Sequence, residues 1–241
     1  MKAVVLAAGY ATRLYPLTRD KPKPLLELAG RPILDHLLDR LAPIGLDRIF
    51  VVTNAKFAPQ FRAWAEGRPE VVVIDDGTTS ENDRLGAIGD LRLVLDREQL
   101  DEDLLVTAGD SVFTESLAGF GEFARVKRGG AVAVQDVGSP EAIRRYSSVG
   151  VDGNDRVVSF EEKPDAPRST LAGIALYVFP QTTLPLVARY LDDGNNPDQP
   201  GRFLEWLHTR TPVYAWRVPG RWLDIGSREN LDAAERELAQ S

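Results

Sequence analysis

Five short runs, Val4–Ala7, Ile49–Thr53, Val71–Ile74, Leu104–Thr107 and Ala131–Val134, are apolar almost without interruption. A strand with one wet face alternates polar and apolar residues, so near-continuous apolar runs predict strands covered on both faces. Segments with helical spacing lie between them. Ile33, Leu34, Leu37, Leu38 and Leu41 form an apolar stripe, with Asp35, His36, Asp39 and Arg40 expected on the other face. Phe57–Glu66, Leu85–Leu95 and Glu115–Lys127 are further expected helices. Strand and helix in alternation predict an α/β chain with a mostly parallel sheet and helices on both sides.

After residue 136 the rhythm changes. Val149–Val151, Val157–Glu161, Ile174–Phe179 and Val213–Val218 read as strands with less helix between them. Asp192–Arg202 reads as the clearest loop, and Ser227–Leu238 as a closing helix capped by Ser227. There are no repeats, no low-complexity stretch and no linker. The expectation is one domain over 1–241, with a mostly parallel half at 1–136 and a smaller mixed half at 137–241. A chain of 241 residues can bury a sizeable core without staples.

Composition narrows the chemistry. The net charge is −7 and the pI about 5.0, which disfavours nucleic acid and anionic membrane as partners. There is no cysteine, so disulfides, thiolate metal sites and cysteine nucleophiles are excluded. Imidazole comes only from His36 and His208, read as a solvated residue and as the flank of a packed helix face. Trp206, Trp216 and Trp222 read as core or pocket wall. The longest early apolar run is too short for a signal or a spanning helix, so the chain is expected to be soluble and cytoplasmic.

The most informative stretch is Leu6-Ala-Ala-Gly-Tyr-Ala-Thr-Arg-Leu-Tyr-Pro-Leu-Thr18, followed by Lys21-Pro-Lys-Pro-Leu-Leu26. It follows a strand directly, at the sheet edge where open α/β folds bind ligands. Ala7, Ala8, Gly9 and Ala11 are small enough for backbone N–H groups to approach an anion. Residues 1–25 carry Lys2, Arg13, Arg19, Lys21 and Lys23 against Asp20 alone, a balance of +4 on a chain whose remainder carries −11. That concentration focuses small anions. The string is neither a dinucleotide fingerprint nor a P-loop.

These residues resemble the opening signature of the sugar nucleotidyltransferase family, L-A-G/A-G-x-x-T-R-L-x-P-L-T followed by P-K-x-L, at about a dozen positions in order. Ala108-Gly109-Asp110 is similar to the family's G-D element, Phe160-Glu-Glu-Lys-Pro164 to its E-K-P element and Trp222-Leu-Asp-Ile-Gly226 to its W-x-D-I-G element. The resemblance spans residues 3–226. It implies a single Rossmann-like, GT-A-type three-layer domain, and transfer of a nucleotidyl group from an NTP to a sugar 1-phosphate. A sugar phosphate is already an anionic nucleophile, so no strong general base is needed, which suits a chain with two histidines and no cysteine.

By the same resemblance Arg13, Lys23 and Asp110 would be catalytic, with Asp110 and Asp224 holding Mg²⁺. Arg13 and Lys23 would hold the triphosphate. Lys163 would hold the phosphate of the sugar 1-phosphate, and Glu162 the sugar hydroxyls. Ala8 and Gly9 would face the nucleotide through their backbones, with Gly86 near the base and Gly173 at the sugar. The partners implied are NTP and sugar 1-phosphate, and a homo-oligomer is compatible with the sequence. The chain departs from the family at Ser80–Ile88, at Tyr146-Ser-Ser-Val149 where Y-G-V is common, and at Leu171-Ala-Gly-Ile174, which lacks a frequent Asn. Base and sugar identity are therefore left open. A non-catalytic sugar-nucleotide-binding regulator on the same fold is the alternative. A glycosyltransferase is disfavoured, because Asp110-Ser111-Val112 stands where Asp-x-Asp would be expected.

Overall fold

The computed structural model describes residues 1–239; the last two residues of the expected second half, 240 and 241, lie outside the described residues. The strands are β1 Lys2–Leu6, β2 Glu27–Leu28, β3 Arg31–Pro32, β4 Arg48–Thr53, β5 Val71–Asp75, β6 Leu104–Ala108 and β7 Ser111–Phe113. They continue with β8 Gly130–Asp136, β9 Ser147–Val151, β10 Val157–Glu162, β11 Leu171–Phe179, β12 Val213–Arg217 and β13 Trp222–Asp224. The helices are α1 Ile33–Leu41, α2 Ala58–Ala65, α3 Ala87–Glu98, α4 Ala118–Lys127, α5 Pro140–Ile143, α6 Leu184–Asp192, α7 Pro200–Leu207 and α8 Arg228–Leu238.

A nine-stranded sheet runs β10-β9-β11-β6-β1-β4-β5, with β8 alongside β11 and β12 beyond β8. β6, β1, β4 and β5 are parallel, as their unbroken apolar runs require. The parallel order stops at β6. β8 is not the next parallel strand; β11 lies between them, antiparallel to both. β11 is nine residues long and has β8 along one side, with β9 against its start and β6 against its end on the other. The sheet therefore takes strands from both sides of residue 136.

Successive residues of each strand point to opposite faces, and two cores follow from that alternation. Val4 and Val106 pack with Leu91 and Val94 of α3, Val187 of α6 and Phe203 of α7. Ala3, Val5 and Leu105 pack with Leu37 of α1, Phe61 of α2 and Phe120 of α4. A third, smaller core joins Leu14, Leu26 and Ile33 to Val112 of β7, Leu223 of β13 and Leu231 of α8. It fixes the amino-terminal loop to the β7–β13 pair. α8 begins as expected, with the Ser227 hydroxyl accepting from the Asn230 N–H.

Several local expectations are corrected. Asp35 is buried rather than solvated, because Trp64 Nε1 donates to it at 2.9 Å and Arg68 pairs with it at 3.0 Å. His36 is partly buried, with Nε2 2.7 Å from the Leu28 carbonyl. The expected loop at Asp192–Arg202 ends earlier, since Pro200 starts α7 in the position where a missing N–H costs nothing. α6, also opened by a proline near its first turn, was not anticipated. No helix among the described residues is long and apolar enough to cross a membrane.

Candidate active site

The ends of β1 and β6 open onto a cavity of about 640 Å³. The residues singled out in the sequence all line it: Ala8, Gly9 and Arg13 from the amino-terminal loop, Lys23 and Asp110 beside it, and Gly86 ahead of α3. Glu162, Lys163, Gly173 and Asp224 complete the set from the far wall. The strand order arranges these groups. β9, β10 and β11 carry Ser147, Glu162 and Gly173 at one end, β1 and β6 lead to the basic loop and Asp110 in the middle, and α3 brings Gly86 at the other.

Side chains hold the basic loop by its carbonyls. Thr53 Oγ1 donates to Ala7 O at 3.2 Å, Asn54 Nδ2 to Ala8 O at 2.8 Å and Thr18 Oγ1 to Ala11 O at 2.7 Å. Among the described residues no protein acceptor takes the N–H groups of Ala8, Gly9, Tyr10 or Ala11. A run of unpaired N–H groups of this kind can receive an anion. Ala11 sits at φ 47° and Lys163 at φ 49°, left-handed conformations that cost a non-glycine residue about 1–3 kcal/mol each. Both are at the cavity. Arg13 is exposed and makes no ion pair among the described residues.

Asp110 and Asp224 are 114 residues apart in sequence and are brought together by β-pairing. β7 and β13 are antiparallel with Asp224 opposite Ser111, the neighbour of Asp110. Lys23 Nζ donates to Asp110 Oδ2 at 2.6 Å, with the ammonium largely enclosed. The Tyr146 hydroxyl donates to Asp224 Oδ2 at 3.1 Å, and burial together with that carboxylate pushes the phenol up to about 12. Among the described residues no group of three or more Asp, Glu or His side chains can hold a cation alone. Two carboxylates facing an open cavity fit a hard divalent cation that completes its shell with phosphate oxygens and water.

At the far wall Ser147 Oγ donates to Glu162 Oε2, and the Glu162 side chain is only 8% exposed. Lys163 Nζ lies 3.7 Å from Glu162 Oε1 and is open to the cavity. Ser147 is one of the two serines that depart from Y-G-V, so the departure supplies a donor that fixes this carboxylate.

Residues missed in the sequence cluster on the same surface. Among the described residues, enclosed side-chain polar atoms with no fixed hydrogen-bond partner are Tyr10 Oη, Asp76 Oδ2, Asp90 Oδ1, Gln199 Oε1 and Trp222 Nε1, and four of these residues line the cavity. Asp90 falls within the apolar stripe of α3 with Leu91 and Val94, and a charge there was the available signal. Burial, and then the charge of Asp76, push its carboxyl from 3.8 to about 8. The folded protein thus keeps a proton that the unfolded chain gives up near pH 4. Stability at this site is full below about pH 4, declines as pH rises toward 8, and is at its lowest above 8. Thermal unfolding from pH 4 to 9 is expected to show Asp90→Ala gaining on the wild type as pH rises; a constant difference would contradict this.

A mixed α/β sheet whose strand ends carry a basic loop and two carboxylates at one cleft is a Rossmann-like, GT-A-type architecture. The Nucleotidyl transferase family model matches residues 2–241, and the chain belongs to that family. It is 30% identical over its whole length to the UTP–glucose-1-phosphate uridylyltransferase AglF of Haloferax volcanii, covering 97% of that protein. It is 34% identical over 99% of its length to the mannose-1-phosphate guanylyltransferase of Mycobacterium tuberculosis, but covers 64% of that protein, and as little as 54% of another curated relative. A UDP-glucose pyrophosphorylase crystallised with UDP-glucose has the same fold, with a TM-score of 0.82 at 18% identity over 99% of this chain and 98% of its own.

Proposed function

We propose that this chain transfers a nucleotidyl group from an NTP to a sugar 1-phosphate, giving NDP-sugar and pyrophosphate. The observation that carries the reading is the convergence of the basic loop, the Lys23–Asp110 pair, Asp224 and the Glu162–Lys163 wall on one cavity. An oxygen of the sugar phosphate forms a bond to the α-phosphorus. The bond between the α-phosphorus and its bridging oxygen breaks, and the electron pair leaves on pyrophosphate. No proton need be removed from the nucleophile.

The protein's part is positioning and charge. The unpaired N–H groups after β1 receive phosphate oxygens, with Ala8 and Gly9 at closest approach. Arg13, exposed and free of an internal partner, draws the triphosphate in, and Lys23 neutralises charge near the α-phosphate. Lys163 holds the phosphate of the incoming sugar, while Glu162, kept in place by Ser147, accepts from sugar hydroxyls. Gly173 lets the sugar approach β11, and Gly86 faces the base. Asp110 and Asp224 would hold Mg²⁺, which when bound supplies charge neutralisation at the phosphates. Free NTP as substrate suits a cytoplasmic setting.

A matrix of ATP, GTP, CTP, UTP and dTTP against glucose 1-phosphate and mannose 1-phosphate, with and without Mg²⁺, tests this by pyrophosphate release. At least one pair is expected to turn over, only with the cation. Tight binding of nucleotide or sugar nucleotide without turnover in any pair would instead favour a regulatory binding protein.

A further inference from the structure

The phosphate and sugar groups take the middle and one end of the cavity, which leaves the end formed by Tyr10, Gly86 and Asp90 for the nucleobase. That end carries polar groups the fold does not satisfy. Asp90 is 4% exposed and Tyr10 8%, both line the cavity, and among the described residues the carboxyl oxygens of Asp90 meet no donor besides the proton that Asp90 can share with Asp76. Asp76 follows β5 and faces Asp90 within hydrogen-bonding reach. Its Oδ1 accepts from the Thr78 N–H and hydroxyl, both at 2.7 Å, which leaves its enclosed Oδ2 to take the Asp90 proton.

With one proton held between the two carboxyl groups, the wall offers more acceptors than donors. Buried polar atoms left unpaired are costly, and such a cost is relieved when a ligand supplies the missing partner. Uracil and thymine offer a single ring N–H between two carbonyl oxygens, so a carboxyl oxygen that accepts from it brings its neighbouring oxygen against a carbonyl. Guanine, adenine and cytosine carry an exocyclic amino group that donates to a carboxyl oxygen.

With nucleotidyl transfer as the underlying reading, we propose that Asp90, backed by Asp76, is the base-selecting residue of this site and takes a nucleobase with an exocyclic amino group. The selection works by rejection as much as by attraction. A base without the amino group supplies one donor fewer to the carboxyl oxygens and adds a repulsion, and sites built on polar partners discriminate more strongly than apolar pockets do.

The direct test is equilibrium binding of GTP, ATP, CTP, UTP and dTTP, each with Mg²⁺, to the wild type and to Asp90→Ala. The wild type is expected to bind at least one of GTP, ATP and CTP tenfold or more tightly than both UTP and dTTP. Asp90→Ala should bring that ratio below about threefold, while its Tm without nucleotide is equal to or above that of the wild type. UTP or dTTP binding as tightly as the best amino-bearing nucleotide overturns the proposal on the wild type alone, whatever the variant does. An unchanged ratio in a folded Asp90→Ala overturns it too. Both results leave nucleotidyl transfer standing if pyrophosphate is still released, whereas failure of all five nucleotides to bind would remove both readings.

Discussion

Lys23→Ala is expected to lower the rate of pyrophosphate release by about 10²-fold or more, with the fold retained. The ammonium is enclosed and points at Asp110 from a short helical turn, Lys23–Leu25, in which Lys23 stands between Pro22 and Pro24. In the proposed reaction it faces the charge that develops on the α-phosphate and the leaving pyrophosphate, and the loss of one preorganised donor of that kind typically costs 10²–10³-fold. The fold should survive because Asp110 has access to water and can rehydrate when its partner is gone. Lys23→Arg should not restore the rate, since a planar fork does not fit where a compact ammonium is enclosed. Asp110→Asn separates the two roles. It keeps the shape, removes the charge, and is expected to raise the Mg²⁺ concentration needed for half-maximal activity at least tenfold. Lys23→Ala should not raise that requirement, because it frees an Asp110 oxygen. Turnover within about threefold of wild type in both variants would remove the pair from the catalytic machinery.

That pair shows what the sequence made legible and what it did not. Lys23 and Arg13 sit in one contiguous motif behind a strand, so their co-location follows from local chain geometry. Asp110 and Asp224 depend on β7 and β13, three residues each, too short for any periodicity to mark. Their meeting could be inferred from family resemblance but not from spacing. The strand order has the same character. Each of the nine strands of the large sheet is legible in the sequence, but the insertion of β11 between β6 and β8 is a long-range pairing that no local pattern encodes. Burial of Asp35 depends on Trp64 and Arg68, supplied from the end of a different helix, and was hidden for the same reason. Asp90 differs. Its anomaly was local, a carboxylate among Leu91 and Val94, and charges in an apolar stripe are where sequence rules fail for functional reasons.

Gly201→Ala is expected to weaken the sugar-phosphate site with little loss of stability. Gly201 is the second residue of α7, and a Cβ there would come 1.9 Å from Glu162 Oε2 and 2.7 Å from both Glu162 Cδ and Ser147 Oγ. The obstructed atoms are the end of a flexible side chain, which can swing away at small cost. Gly86 is the contrast, for its Cβ would meet the backbone of Pro197 at 2.7 Å and the chain itself would have to shift. In Gly201→Ala the carboxylate leaves its place beside Ser147 and Lys163 and no longer meets the sugar hydroxyls. A charged hydrogen bond of this kind contributes about 1.5–3 kcal/mol, so KM for the sugar 1-phosphate should rise about 10- to 100-fold. KM for the NTP and the Tm should change little. Because the glycine acts only through the carboxylate, Glu162→Gln and Gly201→Ala should be strongly non-additive, with the double variant close to the worse single one. Fully additive effects would mean that the methyl group perturbs α7 itself, and that Glu162 is not what the absence of a side chain at position 201 protects.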